Sequence, residues 1–190
     1  MKQICLIARL LSYCPRAFVA AVFLSIPLIL GFIASAQADT QPPLVVMAAK
    51  KIGLKACLPA ITQIATANEV GATEQDIVID WNRKTPNSSP FFSMTALSDG
   101  KTRAILSITA IPLKPVGCSL MVQRVFSSPD TCSIIAQRDL SSFLGGRLID
   151  GVLVYSNPAN PKETYTLVQN SNNCSVIFRN DIPKWSPPHE

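Results

Sequence analysis

The sequence predicts an α+β fold: an antiparallel β-sheet with two helices on one face, a pattern that hints at duplication of an α-β-β-β unit, closed by two disulfides. Three observations carry this expectation. Apolar residues recur at helical spacing in two short stretches, and with a period of two in the segments that follow each. The order is helix, strands, helix, strands, and alternating strands must bury one side against a helical layer. Four cysteines fall at matched places in that order, one at each helix start (Cys57, Cys132) and one opening each final strand (Cys118, Cys174). The competing architecture is a β-sandwich with helical insertions.

The first 38 residues stand apart from the fold. Lys2, Arg9 and Arg16 precede an apolar run over 17–36 that closes on Ala36-Gln37-Ala38, with no acid before Asp39. This reads as a signal peptide cleaved after Ala38. An uncleaved inner-membrane anchor is the alternative, because about 20 apolar residues span a bilayer. Pro27 within the run favours cleavage. Residues 39–190 then make one domain of 152 residues with 14 Lys+Arg against 12 Asp+Glu, since three of the 17 basic residues lie in the leader. A net charge of +2, with no basic run longer than two residues, argues against a nucleic-acid partner. The expected location is periplasmic or secreted, with no membrane contact after cleavage.

Residues 39–53 carry Pro42 and Pro43 and read as a lead-in linker; the domain proper spans 54–180. Pro59 suits a first helical turn, and Ile61, Ile64 and Ala65 share a face, so a helix is expected at about 57–69, ended by Gly71. Ile77–Trp81 is a short β-branched run. Phe92, Met94 and Ala96 alternate with Ser93, Thr95 and Leu97, and Leu106, Ile108 and Ala110 alternate with Ser107 and Thr109, as half-buried strands do. Ser98-Asp99-Gly100 is the expected hairpin turn, and residues 118–126 form the next strand. Asp130 is the expected N-cap of the second helix, with Ile134, Ile135, Ala136, Leu140 and Leu144 as its apolar stripe and Gly145-Gly146 as its stop. Strands follow at 148–155, 164–168 and 174–179. The tail over 181–190 is too proline-rich for regular structure.

An even number of cysteines in an exported chain implies disulfides. Zinc is excluded by spacing: no C-x-x-C occurs, and the only histidine is His189. No metal or other cofactor is expected. Cys118 and Cys132 stand at opposite ends of a strand of about nine residues, roughly 30 Å long, far beyond the ~7 Å that a disulfide spans. Of the two remaining pairings, one staple per repeat is expected: Cys57–Cys118 with Cys132–Cys174. A strict meander opposes it, since it sends Cys132 and Cys174 to opposite ends unless the second helix crosses the sheet.

Residues able to perform acid–base or nucleophilic chemistry are scarce. His189 sits in a Pro-Pro tail, so no Ser-His-Asp or Cys-His arrangement is expected, and no nucleophile elbow, zincin or nucleotide-binding motif occurs. Asp76 with Asp80, or Asp150, offers carboxylates for a hydrolase of the cell envelope, the alternative reading. The favoured one is a small non-enzymatic binding protein, of inhibitor or immunity type, with a protein or glycan of the envelope as partner. Its candidate site is Trp81-Asn82-Arg83-Lys84, the densest positive charge of the domain, next to a polar loop that ends at Phe91. Trp81 and Arg83 are the residue types that most often anchor partners.

Overall fold

The computed structural model describes residues 42–69 and 71–186. Residues 1–38, where a signal peptide is expected, and His189 lie outside them. Among the described residues are three helices and eight strands in one antiparallel sheet. Helices α1 (Leu44–Lys51) and α2 (Leu58–Asn68) precede β1 (Glu74–Trp81), β2 (Phe91–Ser98), β3 (Arg103–Pro112) and β4 (Cys118–Ser128). Helix α3 (Cys132–Asp139) then precedes β5 (Leu144–Ile149), β6 (Val152–Asn157), β7 (Asn160–Asn170) and β8 (Asn173–Trp185). The strand order is β1-β2-β3-β4-β8-β7-β6-β5, so two four-stranded meanders meet at β4 and β8. The repeating unit is therefore α-β-β-β-β, one strand longer than the sequence suggested.

The register at that junction is self-complementary. When Cys118 is aligned with Cys174, Gln123 is equivalent to Arg179, and these two residues face each other. Val122 pairs with Asn180 and Arg124 with Phe178, the same relation read from either strand. A pseudo-twofold axis thus passes through the sheet at Gln123 and Arg179. Such an axis keeps both helical layers on one face.

Helix α1 forms where the sequence reading placed a lead-in linker. Pro43 supplies its N-cap position, and the carbonyl of Pro43 accepts the N–H groups of Val46 and Met47. Val45, Val46 and Ala49 bury one face, so packing holds a helix too short to persist alone. Gly53, at φ 77°, ends it while Leu54 N–H donates to Ala49 O. Helix α2 has Pro59 in its first turn and buries Ala60, Ile61 and Ala65. The N-cap of α3 is Thr131, not Asp130, and makes no side-chain cap. Asp130 instead accepts Arg138 Nη1 at 2.8 Å, and Gln169 Oε1 accepts Cys132 N–H at 2.8 Å.

Strand pairing decides which alternating set is buried. Ser93 and Thr95 pair with Ile108 and Leu106, so the covered side of β2 is Phe91, Ser93, Thr95 and Leu97. Phe92, Met94 and Ala96 lie on the open side. Two further strand readings change. Residues 148–155 are a hairpin turning at Asp150-Gly151 rather than one strand, and β8 continues through 181–185, where a tail was expected. There Trp185 Nε1 donates to Gln63 Oε1 at 2.8 Å, tying the strand end to α2.

The core has two parts. α1 and α2 cover Phe91, Leu106, Ile108, Leu120 and Val122, while α3 covers Leu167 and Val176; Phe126 packs against both clusters. Each cluster contains one disulfide, Cys57–Cys118 and Cys132–Cys174, with Cα separations of 5.7 and 4.9 Å. The expected pairing is thus observed. Four strands rather than three follow α3, so β8 begins beside the end of β4, where α3 starts. Ser128 pairs with Cys174 there. Among the described residues no helix is long and apolar enough to cross a membrane.

Candidate functional site

Trp81, Arg83 and Lys84 lie where β1 leaves the sheet. Trp81 is half-buried: its ring closes the end of the first core cluster and lines a cleft of about 520 Å³ with Ala48, Lys51, Ile52, Ile77 and Ile79. The Arg83 guanidinium stands over the ring, 5.6 Å from its centroid. Such a cation–π contact contributes about 0.5–1 kcal/mol at an exposed site and holds the side chain in place. Arg83 and Lys84 are themselves exposed.

The loop that carries them is built rather than loose. Asn82 Oδ1 accepts Lys84 N–H at 2.9 Å, an Asx turn that fixes the exit from β1. Asn87 reaches the α1–α2 connection: its Oδ1 accepts Lys55 and Ala56 N–H, and its Nδ2 donates to Gly53 O at 3.1 Å. These bonds bring the loop beside the C-terminal end of α1. Lys50, Lys51, Lys55, Arg83 and Lys84 therefore share one corner, all exposed, and no salt bridge among the described residues reaches any of them. Segments 44–68 and 81–98 contain no acid. Asp80 alternates with Trp81 and so projects from the other side of the strand. Lys50 and Lys51 also complement the negative end of the α1 dipole. The Lys50, Lys51 and Lys55 contribution was not foreseen, because only the fold brings α1 and the connection after it to this corner.

The carboxylates do not converge. Asp76 and Asp80 are four positions apart on one extended strand, roughly 13 Å, against the 5–9.5 Å that separates glycosidase carboxyls. Asp150 sits in the β5–β6 turn at the opposite edge of the sheet, exposed, with Arg147 at 3.8 Å. Among the described residues no group of three His, Cys, Asp or Glu side chains is placed to hold a metal. Asp99 is held below the ordinary carboxylate range by the backbone N–H groups of Thr102 and Lys101, which cap the β2–β3 turn.

A second cleft, of about 500 Å³, opens between the two helical layers over Arg124, Phe126, Tyr165 and Phe178. Tyr165 meets Phe143 edge-on at 5.4 Å and Phe178 at 5.1 Å, and burial, then the charge of Glu163, raises the Tyr165 hydroxyl above its ordinary pKa. In the first repeat the positions of Glu163, Tyr165 and Phe178 are held by Leu106, Ile108 and Val122, buried under α1 and α2. The second repeat has α3 alone, so its aromatic row stays half-exposed. This exchange of aliphatic for aromatic and polar residues becomes visible only when the repeats are aligned.

No family model, curated protein or solved structure matches the chain.

Proposed function

We propose that this is an exported, disulfide-stapled binding protein of the cell envelope that engages an acidic protein surface or glycan at the basic corner around Trp81. The observation that carries the reading is the Arg83 guanidinium stacked on a half-exposed Trp81, beside Lys51 and three further unpaired cations. A flat ring supplies contact area at low entropic cost, and a preorganised guanidinium supplies a directional charge. Five cations with no acid among them raise the local concentration of anionic partners.

Heparin, as a polyanionic glycan probe, tests the site by biolayer interferometry. Replacing Arg83 and Lys84 together by Ala is expected to weaken capture about tenfold, which corresponds to about 1.4 kcal/mol. The melting temperature should stay unchanged, since both side chains are solvated. Equal capture by the variant would overturn the assignment. Export is checked separately by N-terminal sequencing of the purified protein. A start at Asp39 is expected; a start at Met1 in a membrane fraction would replace cleavage with anchoring.

A further inference from the structure

A cleft of about 720 Å³ lies at the opposite end of α1 from the basic corner. Glu69, the residue that caps the C-terminus of α2, lines it together with Pro43, Leu44, Met47, Thr62 and Thr73. Only 5% of Glu69 is exposed. Both of its carboxylate oxygens are buried, and neither has a hydrogen-bond partner among the described residues. A carboxylate offers about four lone-pair sites, so this is an unusually large unmet demand for donors.

No described side chain meets it. Lys50 and Lys51 stand some six residues along α1, about 9 Å of helix axis away, and no salt bridge among the described residues includes Glu69. The N-terminal backbone of α1 offers partial compensation at Leu44, which offsets the effect of burial only in part. The polar side chains in the rest of the lining are Thr62, Thr66, Thr73 and Gln75, all uncharged. The Thr62 hydroxyl already donates to Leu58 O at 2.8 Å and the Thr73 hydroxyl to Ser98 O at 3.2 Å, so each presents lone pairs to anything that enters. Leu44, Met47 and Pro43 make the remaining wall apolar.

We propose that this cleft binds a primary ammonium group, with Glu69 as its counter-charge and the Thr62 and Thr73 hydroxyl oxygens as further acceptors. An ammonium has three donors and no acceptor, which matches a buried carboxylate and two hydroxyl oxygens whose own protons are already donated. The apolar wall takes the alkyl or peptide segment behind it. A divalent metal is the poorer fit, because a hard cation needs several converging oxygen ligands and Glu69 is the one carboxylate in the lining. Such an ammonium belongs to a soluble alkylamine or to the amino terminus of a polypeptide, and the same chemistry recognises both.

The test is thermal denaturation of the purified protein at pH 7 with n-butylammonium chloride, and with Ala-Ala-Ala amide as the peptide arm. Saturating butylammonium, the tripeptide amide or both should raise the melting temperature by about 3–5 °C. Sodium chloride, n-butanol and the N-acetylated tripeptide should not. Which arm responds identifies the source of the ammonium. Glu69→Gln should abolish the response. Independently of that variant, the Glu69 side-chain carboxyl carbon resonance should move on titration of the unaltered protein. No response to either amine, an equal response in Glu69→Gln, or a stationary Glu69 resonance would each overturn the proposal.

Discussion

At the scale of single residues, Glu69 sets a pH dependence of the opposite sense to most carboxylates. Burial raises its pKa above the ordinary value of 4.5, so the folded chain holds the proton more tightly than the unfolded chain does. Below 4.5 both states are protonated and burial of the neutral acid is tolerated. As pH rises from there through the folded pKa, the unfolded carboxyl ionises freely and the folded one cannot, so stability is lost. Asp99 and Asp139, whose pKa values are lowered, act only at more acid pH, where their stabilisation disappears. Denaturation of Glu69→Gln and the unaltered protein from pH 4 to 8 isolates the effect. The variant should show the flatter profile and be the more stable at pH 7, because burial penalises a neutral amide less than a carboxylate. A variant less stable at pH 7 would show that Glu69 is paired in solution. Nothing in the sequence singled this residue out: Glu69 follows a helix and precedes Gly71, as many solvated acids do, and only the docking of α1 buries it.

At the scale of elements, the two staples do unequal work on nearly equal loops. Separations of 61 and 42 residues imply similar chain-entropy contributions, about 4 kcal/mol each as an upper figure. The first ties α2 into a cluster already filled by Phe91, Leu106, Ile108 and Leu120; the second holds an eight-residue helix that buries only Cys132 and Ile135 within its length. Replacing Cys132 and Cys174 by Ser should therefore lower the melting temperature by at least 5 °C. It should also raise hydrogen exchange across 132–139 above that across 58–68. Uniform exchange would contradict the division into two clusters. The cysteine pairing was legible because helix start and final strand recur in each repeat. What obscured its geometry was one hairpin: read as a single strand, residues 148–155 reverse the parity of the meander and carry Cys174 to the wrong end of the sheet. Asp150-Gly151 is the turn that restores it, with Gly151 at φ 73°. Helix α1 was illegible for a related reason. Two prolines before it resemble a linker, yet a proline at a helix start costs nothing, and the helix is made by burying Val45, Val46 and Ala49.

At the scale of the whole molecule, the fold class followed from periodicity, but the division of labour between the repeats did not. Burial patterns reveal which residues meet a helix, not how much helix is there. The first repeat has two helices over its strands and the second has one, so equivalent positions are aliphatic core in one and an open aromatic row in the other. The edges differ as well. β1 is flanked by α1 and carries Glu74, Asp76 and Asp80, whereas β5 leaves Leu144, Leu148 and Ile149 about two-thirds exposed. The candidate partner site was legible only as far as its linear segment; Lys50 and Lys51 arrive from a helix that pattern alone did not show, and Lys55 from the turn after it. The self-complementary pairing of β4 with β8 has a consequence for how such a chain can arise. Each half contains its own helical layer, its own meander and its own disulfide, and among the described residues no disulfide crosses between them. Contacts across the junction follow the isologous rule of a twofold homodimer, in which residue i meets j and j meets i. A polypeptide half as long, with β4 as its edge, would assemble the same eight-stranded sheet from two subunits. The Pro129–Thr131 connection holds covalently what such an interface would hold by association, so the two halves can differ: one has a helix-covered core with a basic corner, the other an exposed aromatic cleft.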